Sequence, residues 1–141
     1  MSDFHQTGVF TTLHRLGAPD VARLEAELLQ YAEQRPVALV LPSLFSETRG
    51  PALRGIVEEL SQVGYLKQLV VSLSGTAAAN EFQEMRALFK DFHCLDGAPA
   101  TVIWSDGPRL QALLSQLRAE GLDPGADGKG GATWLAYGYV L

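Results

Sequence analysis

Cysteine is nearly absent from this sequence, and long apolar runs are missing. The single cysteine, Cys94, excludes an internal disulfide and a Cys-x-x-Cys pair for zinc, which favours a reducing, cytoplasmic compartment. No apolar run approaches the roughly 18 residues that a membrane-spanning helix needs. No basic segment followed by an apolar one begins the chain. We therefore expect neither secretion nor a membrane partner.

Basic residues are few and scattered. The chain has 11 lysines and arginines against 16 acidic residues, a net charge of −5, and the basic ones form no stripe. Nucleic acid is therefore not an expected partner, because phosphate backbones are bound by clustered positive charge. The 141 residues with 47% apolar content suffice for one compact domain around a single core.

Strand and helix patterns alternate along the chain. Three apolar runs predict strands, at 36–41, 66–73 and 99–104. An amphipathic helix follows each of them, at about 51–63, 77–92 and 108–120. The first run is bounded by proline on both sides and is predicted to be buried on both faces and to stop at Pro42. This order predicts a three-layer α/β/α fold of the Rossmann-like class with a mostly parallel sheet.

The first 35 residues carry an arm and a helix. Residues 1–17 show no sustained period and are expected to form an ordered arm. A helix begins at 18–20, and its apolar stripe is predicted to pack inward through Val21, Leu24, Leu28 and Tyr31. We therefore divide the single domain into residues 1–35, the arm and helix, and residues 36–141, the α/β part.

Polar segments follow each predicted strand. The carboxyl ends of parallel strands meet at one edge of the sheet, and open α/β sheets bind their ligands there. We expect convergence of 42–47, 72–76, 104–107 and the turn that holds Lys129. The sequence therefore predicts a binding site at this edge.

The turn around Lys129 is rich in glycine and opens into the last helix. Glycines let a ligand approach the main chain, and a helix amino end with a nearby ammonium suits a phosphate. The turn is neither a Walker A loop nor a dinucleotide fingerprint, because Gly130 follows the lysine and no Gly-x-Gly-x-x-Gly follows the first strand. A solvated surface loop with an exposed lysine is the alternative interpretation.

The other polar residues also have two interpretations. Asp106, just before Gly107, has the acceptor oxygens for a base, a ribose hydroxyl or the lysine, but Ser-Asp-Gly-Pro is also an ordinary helix start. Glu47 and Ser43 have the groups to bind a ribose or a base, or to satisfy their own loop. Binding and structural roles therefore stay open for both segments.

No cluster in the sequence predicts a metal site or a nucleophile. His93 and Cys94 are adjacent, so their side chains point apart, and they follow a helix at the end of the sheet away from the converging loops. Asp123 and Asp127 are four apart in a glycine-rich loop without further oxygen ligands. Neither pair predicts catalysis or metal binding.

Taken together, these segments resemble the N-terminal half of GT-A-fold glycosyltransferases, in particular bacterial enzymes related to glucosyl-3-phosphoglycerate, mannosylglycerate and glucosylglycerate synthases. The likeness rests on a proline-ended first strand followed by Ser43 and Glu47, a small polar turn after the second strand, the strand end 104–108, and Gly128-Lys129-Gly130 before a Trp-containing helix. It spans residue 36 to the end in the order of strands and helices.

The resemblance implies that the chain binds the nucleoside diphosphate of a UDP- or GDP-sugar. It implies that the intact relative transfers a hexose to a small acid such as glycerate or phosphoglycerate. Carried over residue by residue, the donor nucleotide-binding residues are Pro42, Ser43, Glu47, Ser74, Asp106, Gly107, Gly128 and Lys129. The resemblance assigns no catalytic residue to this chain.

Two departures from the family bear on activity. The second strand ends in Leu73-Ser74-Gly75, where relatives usually carry an acidic residue. The metal-binding Asp-x-Asp, expected on the next strand, is absent, so the chain looks truncated and a divalent cation, Mg or Mn, is expected only in the intact relative. We therefore expect weak donor binding and negligible transfer by these residues alone. The alternative is a non-catalytic α/β binding or oligomerisation module, with a second copy covering the exposed sheet edge.

Overall fold

The computed structural model describes residues 20–122, 125 and 128–141, without the side chain of Lys129. Its helices and strands, in chain order, are α1 Val21–Gln34, β1 Val37–Leu44, α2 Pro51–Leu60, β2 Leu66–Ser74, α3 Ala79–Leu88, β3 Thr101–Trp104, α4 Pro108–Ala119 and α5 Lys129–Val140. Short 3-10 turns occupy Phe45–Arg49 and Leu95–Gly97. The predicted arm 1–17 and the Asp123 and Asp127 pair lie outside the described residues.

The three strands form one parallel sheet in the order β1-β2-β3. Leu44 of β1 lies opposite Ser74 of β2, and Leu73 lies opposite Trp104 of β3. Since the strands run in the same direction, their carboxyl ends and the polar loops after them share one edge of the sheet. The predicted parallel α/β sheet is confirmed.

Helices cover both faces of this sheet. On one face, β2 packs in a core with Leu53 of α2 and Met85 of α3. On the other face, the Ser72 hydroxyl donates a 3.0 Å hydrogen bond to the carbonyl of Ala132 in α5. Successive residues of a strand point to opposite faces, so alternate β2 residues meet different helices. The three-layer arrangement is therefore confirmed.

The central strand β2 is the most deeply buried element. Its residues from Leu69 to Leu73 have no more than a trace of exposed surface. Such a strand reads as a continuous apolar run because neither face meets water. The single polar member of this stretch, Ser72, is satisfied by its bonds to Ala132 and to Ser105.

The first strand is longer than predicted. It continues through Pro42, opposite Ser72, to Leu44. A proline is tolerated there because, among the described strands, β1 pairs only with β2, so the missing N–H need not join a ladder. The prediction that the strand stops at Pro42 is wrong, as is its burial on both faces, since most β1 residues are only half-buried.

Helix α1 begins after Asp20, whose carboxylate accepts from the Arg23 N–H at 3.1 Å and caps the helix. Its predicted inward stripe is exposed, with Val21, Leu24, Leu28 and Tyr31 at 57%, 42%, 39% and 68% exposure. The prediction that this stripe packs inward is wrong. A helical period identifies the apolar face, but it does not place another element against that face. None of the described helices has the length and apolar content to cross a bilayer.

Helix α3 ends at Leu88, earlier than predicted. Phe89 and Phe92 are buried and continue the apolar pattern, but the backbone there closes tighter turns, with the Phe89 N–H bonded to the carbonyl of Arg86. Helix α2 likewise ends at Leu60, short of residue 63. Apolar spacing therefore overestimates the length of both helices.

Candidate functional site

A cleft with polar and apolar lining residues lies at the carboxyl ends of β2 and β3, between α4 and α5. It opens to solvent. The described residues that line it include Ser74 and Asp106 from the strand ends, Arg118 from α4, and Gly128 and Gly131 from the start of α5. Polar groups of two strand ends and of two helices therefore meet at this cleft.

The amino end of α5 forms one wall of the cleft. The cap residue is Gly128, whose φ of 147° suits glycine, and it has no side chain to cap the helix. The first bond within the helix runs from the Ala132 N–H to the Gly128 carbonyl, at 3.0 Å. The N–H groups before Ala132 therefore lack partners within the helix and carry its positive end.

Ser72 fixes this helix on the sheet. Its hydroxyl lies 3.0 Å from the Ala132 carbonyl and 3.2 Å from the Ser105 hydroxyl, in fully buried surroundings. Both bonds join β2 to other elements near the cleft. Ser72 was not predicted to have an individual role, although a serine inside an apolar strand indicates a buried hydroxyl that needs partners.

Thr76 joins the loop after β2 to the loop after β3. Its N–H donates to the Asp106 carboxylate at 3.0 Å, and its carbonyl accepts from the indole N–H of Trp104 at 2.7 Å. Its hydroxyl bonds Glu81 and accepts from the Ala78 N–H. Thr76 makes all four of these hydrogen bonds and is itself buried, with 7% of its surface exposed. Thr76 therefore holds the Asp106 carboxylate at the cleft.

The loop after β1 is satisfied internally. The Ser43 hydroxyl donates to one Glu47 carboxylate oxygen at 2.6 Å, and the Leu44 N–H donates to the same oxygen at 3.1 Å. Glu47 is exposed and Ser43 is buried. Ser43 and Glu47 are therefore bonded within their own loop, and their role in ligand binding stays a prediction.

The predicted site residues fall into separate groups. Ser74, Asp106 and Gly128 line the cleft. Pro42, Ser43 and Glu47 lie at the same edge of the sheet but do not line it. Gly107 is buried under the Trp104 ring, and the side chain of Lys129 lies outside the described part of the chain. Their roles in ligand binding stay predictions.

A second, apolar groove runs along the outer edge of β3. Phe82 and Trp104 stack there with ring centres 5.0 Å apart, and Leu113 and Tyr139 line the same groove. The sequence did not predict it, because its members come from α3, β3, α4 and α5. Its lining is mostly apolar, with Arg109 as a charged member, whereas the cleft is lined by Asp106 and Arg118.

His93 and Cys94 do not form a reactive pair. The His93 ring nitrogen Nδ1 lies 3.0 Å from the Asp91 carbonyl, while Cys94 is buried. Burial raises the pKa of the Cys94 thiol above its ordinary value, against a smaller lowering by the Leu69 backbone. Within the described residues, no three His, Cys, Asp or Glu side chains form a group that would hold a metal ion.

Cys94 is expected to resist thiol reagents in the native protein. A buried thiol with a raised pKa carries little thiolate and is shielded from the reagent. We expect DTNB at pH 8 to modify the folded chain at least ~10-fold more slowly than the chain unfolded in urea. Equal rates in the two states would contradict the burial of this side chain.

The fold is that of a Rossmann-like α/β domain with a cleft at the carboxyl edge of its sheet. Over all 141 residues, the sequence of the chain is 37% identical to that of a glucosyl-3-phosphoglycerate synthase of Persephonella marina. Over 137 residues it is 30% identical to a glucosyl-3-phosphoglycerate synthase of Methanococcoides burtonii. The resemblance predicted from the sequence is therefore confirmed.

The chain spans about a third of the length of these curated relatives, 34% of the first and 32% of the second. No protein-family model matches the chain. No solved structure matches it either.

Proposed function

We propose that this chain binds the nucleoside diphosphate of a nucleotide-sugar donor, as part of a glycosyltransferase-type domain. The observation that carries the proposal is the cleft at the ends of β2 and β3, with the amino end of α5 and its glycine cap residue Gly128 in its wall. Free N–H groups at a helix amino end favour phosphate, and glycines allow it to approach the backbone. Similarity to two proteins named glucosyl-3-phosphoglycerate synthase supports a sugar nucleotide as the phosphate ligand.

Different residues at this edge of the sheet would bind different parts of the ligand. The turn at Gly128, with Lys129, would take the diphosphate, because it combines backbone donors with a cation. Asp106, held by Thr76, and Ser74 would take hydroxyl or N–H groups of the nucleoside. The donor is a UDP- or GDP-sugar, and in a polypeptide of the relatives' length we propose glucosyl transfer to 3-phosphoglycerate.

A departing nucleoside diphosphate needs compensating charge, and a divalent cation supplies it in many transferases. The described residues of this chain do not fit such an ion, since they contain no cluster of three suitable ligands. We propose Mg or Mn only for a polypeptide that also carries an Asp-x-Asp strand.

The test is calorimetric titration of the chain with UDP, GDP and ADP, with and without manganese. We expect weak binding with a preference for UDP or GDP, and an affinity about 5- to 10-fold lower for Lys129→Ala, because one charged hydrogen bond is lost. Lys90→Ala is the matched control, since Lys90 is exposed beside Asp91, away from the cleft. Its affinity should equal that of the unaltered chain.

The possible outcomes separate the two candidate functions. If no diphosphate binds, the donor-site proposal falls and a non-catalytic binding module is favoured. If the diphosphates bind but Lys129→Ala has no effect, the lysine is removed from the site while the proposal for the cleft stands.

A further inference from the structure

We propose that Arg118 is an anion-binding residue of the cleft and contacts the diphosphate of the ligand. The inference rests on the proposed function and deepens it, because it concerns the same cleft. Neither the resemblance nor the relatives' names assign a role to this residue. Arg118 lies in the last turn of α4 and lines the cleft together with Gly128 and Gly131.

The orientation of α4 directs Arg118 to the cleft. Gln111, Leu114 and Arg118 lie three to four residues apart and so share one face of the helix. Leu114 on this face is buried, and the Gln111 amide donates to the Ser105 carbonyl at 2.9 Å. These two contacts fix the face toward the strand ends, and side chains on a helix lean toward its amino end, which for α4 is the cleft side.

The Arg118 guanidinium has no partner in the described residues. Arg23 and Arg49 pair with Glu27 at 3.3 Å and Glu84 at 3.5 Å, whereas Arg118, like the exposed Arg54, has no such pair among the described residues. Arg118 makes neither an ion pair nor a side-chain hydrogen bond there. Among the described side chains that line the cleft, it is the only cation. Its five N–H donors, in a planar fork, match the oxygens of a phosphate.

The charges of the cleft also favour one orientation of the bound ligand. Asp106 lines the same cleft, but its carboxylate is bound to the Thr76 N–H and forms no ion pair with Arg118. A phosphate is repelled by the Asp106 carboxylate and attracted by Arg118 and the amino end of α5. A ligand with an anionic group at one end and hydroxyl or N–H donors at the other satisfies both groups. A nucleoside diphosphate has this pattern.

The test titrates the chain with UDP, inorganic pyrophosphate and uridine, following heat and tryptophan fluorescence. For Arg118→Gln we expect binding of UDP and of pyrophosphate at least ~10-fold weaker, because a charged, bidentate contact is lost. Uridine, which has no phosphate, should bind as it does to the unaltered chain. Arg118→Lys should recover part of the loss, since it restores charge without the fork.

Matched variants separate binding from structural effects. Arg54→Gln on α2 removes an exposed arginine on the far face of the sheet and should change no affinity. Asp106→Asn should weaken uridine and leave pyrophosphate unchanged or bound more tightly. A loss of uridine binding in Arg118→Gln equal to the loss of pyrophosphate binding would indicate a structural role and overturn the inference.

The inference and the proposed function fail separately. UDP and pyrophosphate binding that is unchanged in Arg118→Gln overturns the inference and leaves the donor-site proposal standing. Arg118-dependent pyrophosphate binding without any gain for UDP or GDP keeps the anion site and overturns the nucleotide proposal. If neither UDP nor pyrophosphate binds the unaltered chain, both are overturned.

Discussion

Replacing Leu73 by alanine is expected to lower the free energy of unfolding by about 2–5 kcal/mol. Leu73 has no exposed surface and lies in the core that joins the sheet to α2 and α3. The variant loses the transfer free energy of the removed carbons and leaves a cavity, which neighbours in the central strand cannot fill. This is a large part of the stability of a domain of this size.

The measurement is urea unfolding followed by circular dichroism, with the slope held common between variants. Leu122→Ala is the matched control, because Leu122 is 58% exposed and the same carbons are removed from solvent-facing surface. It should change the free energy of unfolding by no more than about 0.5 kcal/mol. If the two variants lost equal stability, Leu73 would not occupy the core position described here.

Replacing Gly107 by alanine is expected to lower the free energy of unfolding by about 1–3 kcal/mol. An added Cβ would lie 2.6 Å from one carbon of the Trp104 ring and 2.7 Å from another. The φ of Gly107 is −74°, which any residue adopts, so the penalty comes from this overlap and not from the backbone. Relief requires the indole to leave its stack on Phe82 and its bond to the Thr76 carbonyl.

Gly55→Ala on α2 is the matched control for this glycine substitution. A Cβ at Gly55 meets nothing within 4 Å, and alanine is the better helix former, so we expect a gain of about 0.5–1 kcal/mol. Thermal unfolding of both variants tests whether Gly107→Ala lowers the stability while Gly55→Ala raises it. A stability of Gly107→Ala equal to that of the unaltered chain would contradict the packing of Trp104 on this turn.

The position of Gly107 also links stability to the site. Asp106 precedes Gly107, and its carboxylate accepts a hydrogen bond from the Thr76 N–H. The carbonyl of Thr76 in turn accepts a hydrogen bond from the Trp104 indole. A displaced indole therefore releases one of the contacts that place the carboxylate at the cleft. We expect Gly107→Ala to weaken uridine and UDP binding together, in contrast to the phosphate-specific loss expected for Arg118→Gln.

The strands could be predicted from the sequence because burial leaves a local mark. The run from Leu69 to Leu73 is buried on both faces and is apolar except for Ser72. The end of this strand near Leu73, and the polar residues after it, could therefore be predicted from the same run. The end of β1 could not be predicted in the same way, because the tolerance of Pro42 depends on the absence of a neighbour on one side in the described sheet.

The site was predicted as a place more successfully than as a set of contacts. The convergence of strand ends at one edge is a property of any parallel sheet, and Ser74, Asp106 and Gly128 meet there. Glu47 instead bonds its own loop, and Arg118 was not singled out by any motif. A motif names residue types, whereas the lining of a cleft depends on which helix face is turned toward it.

The sequence by itself determined the order of strands and helices, the parallel sheet and the edge where polar segments collect, because hydrophobic periodicity and turn residues act over a few neighbours. The tertiary structure decided which atoms meet. Thr76 and Asp106 are 30 residues apart, and Ser72 and Ala132 are 60 apart, yet each pair is joined by a 3.0 Å bond. Hydrogen bonds require distance and angle within narrow limits, so only the packed layers bring these donors to their acceptors.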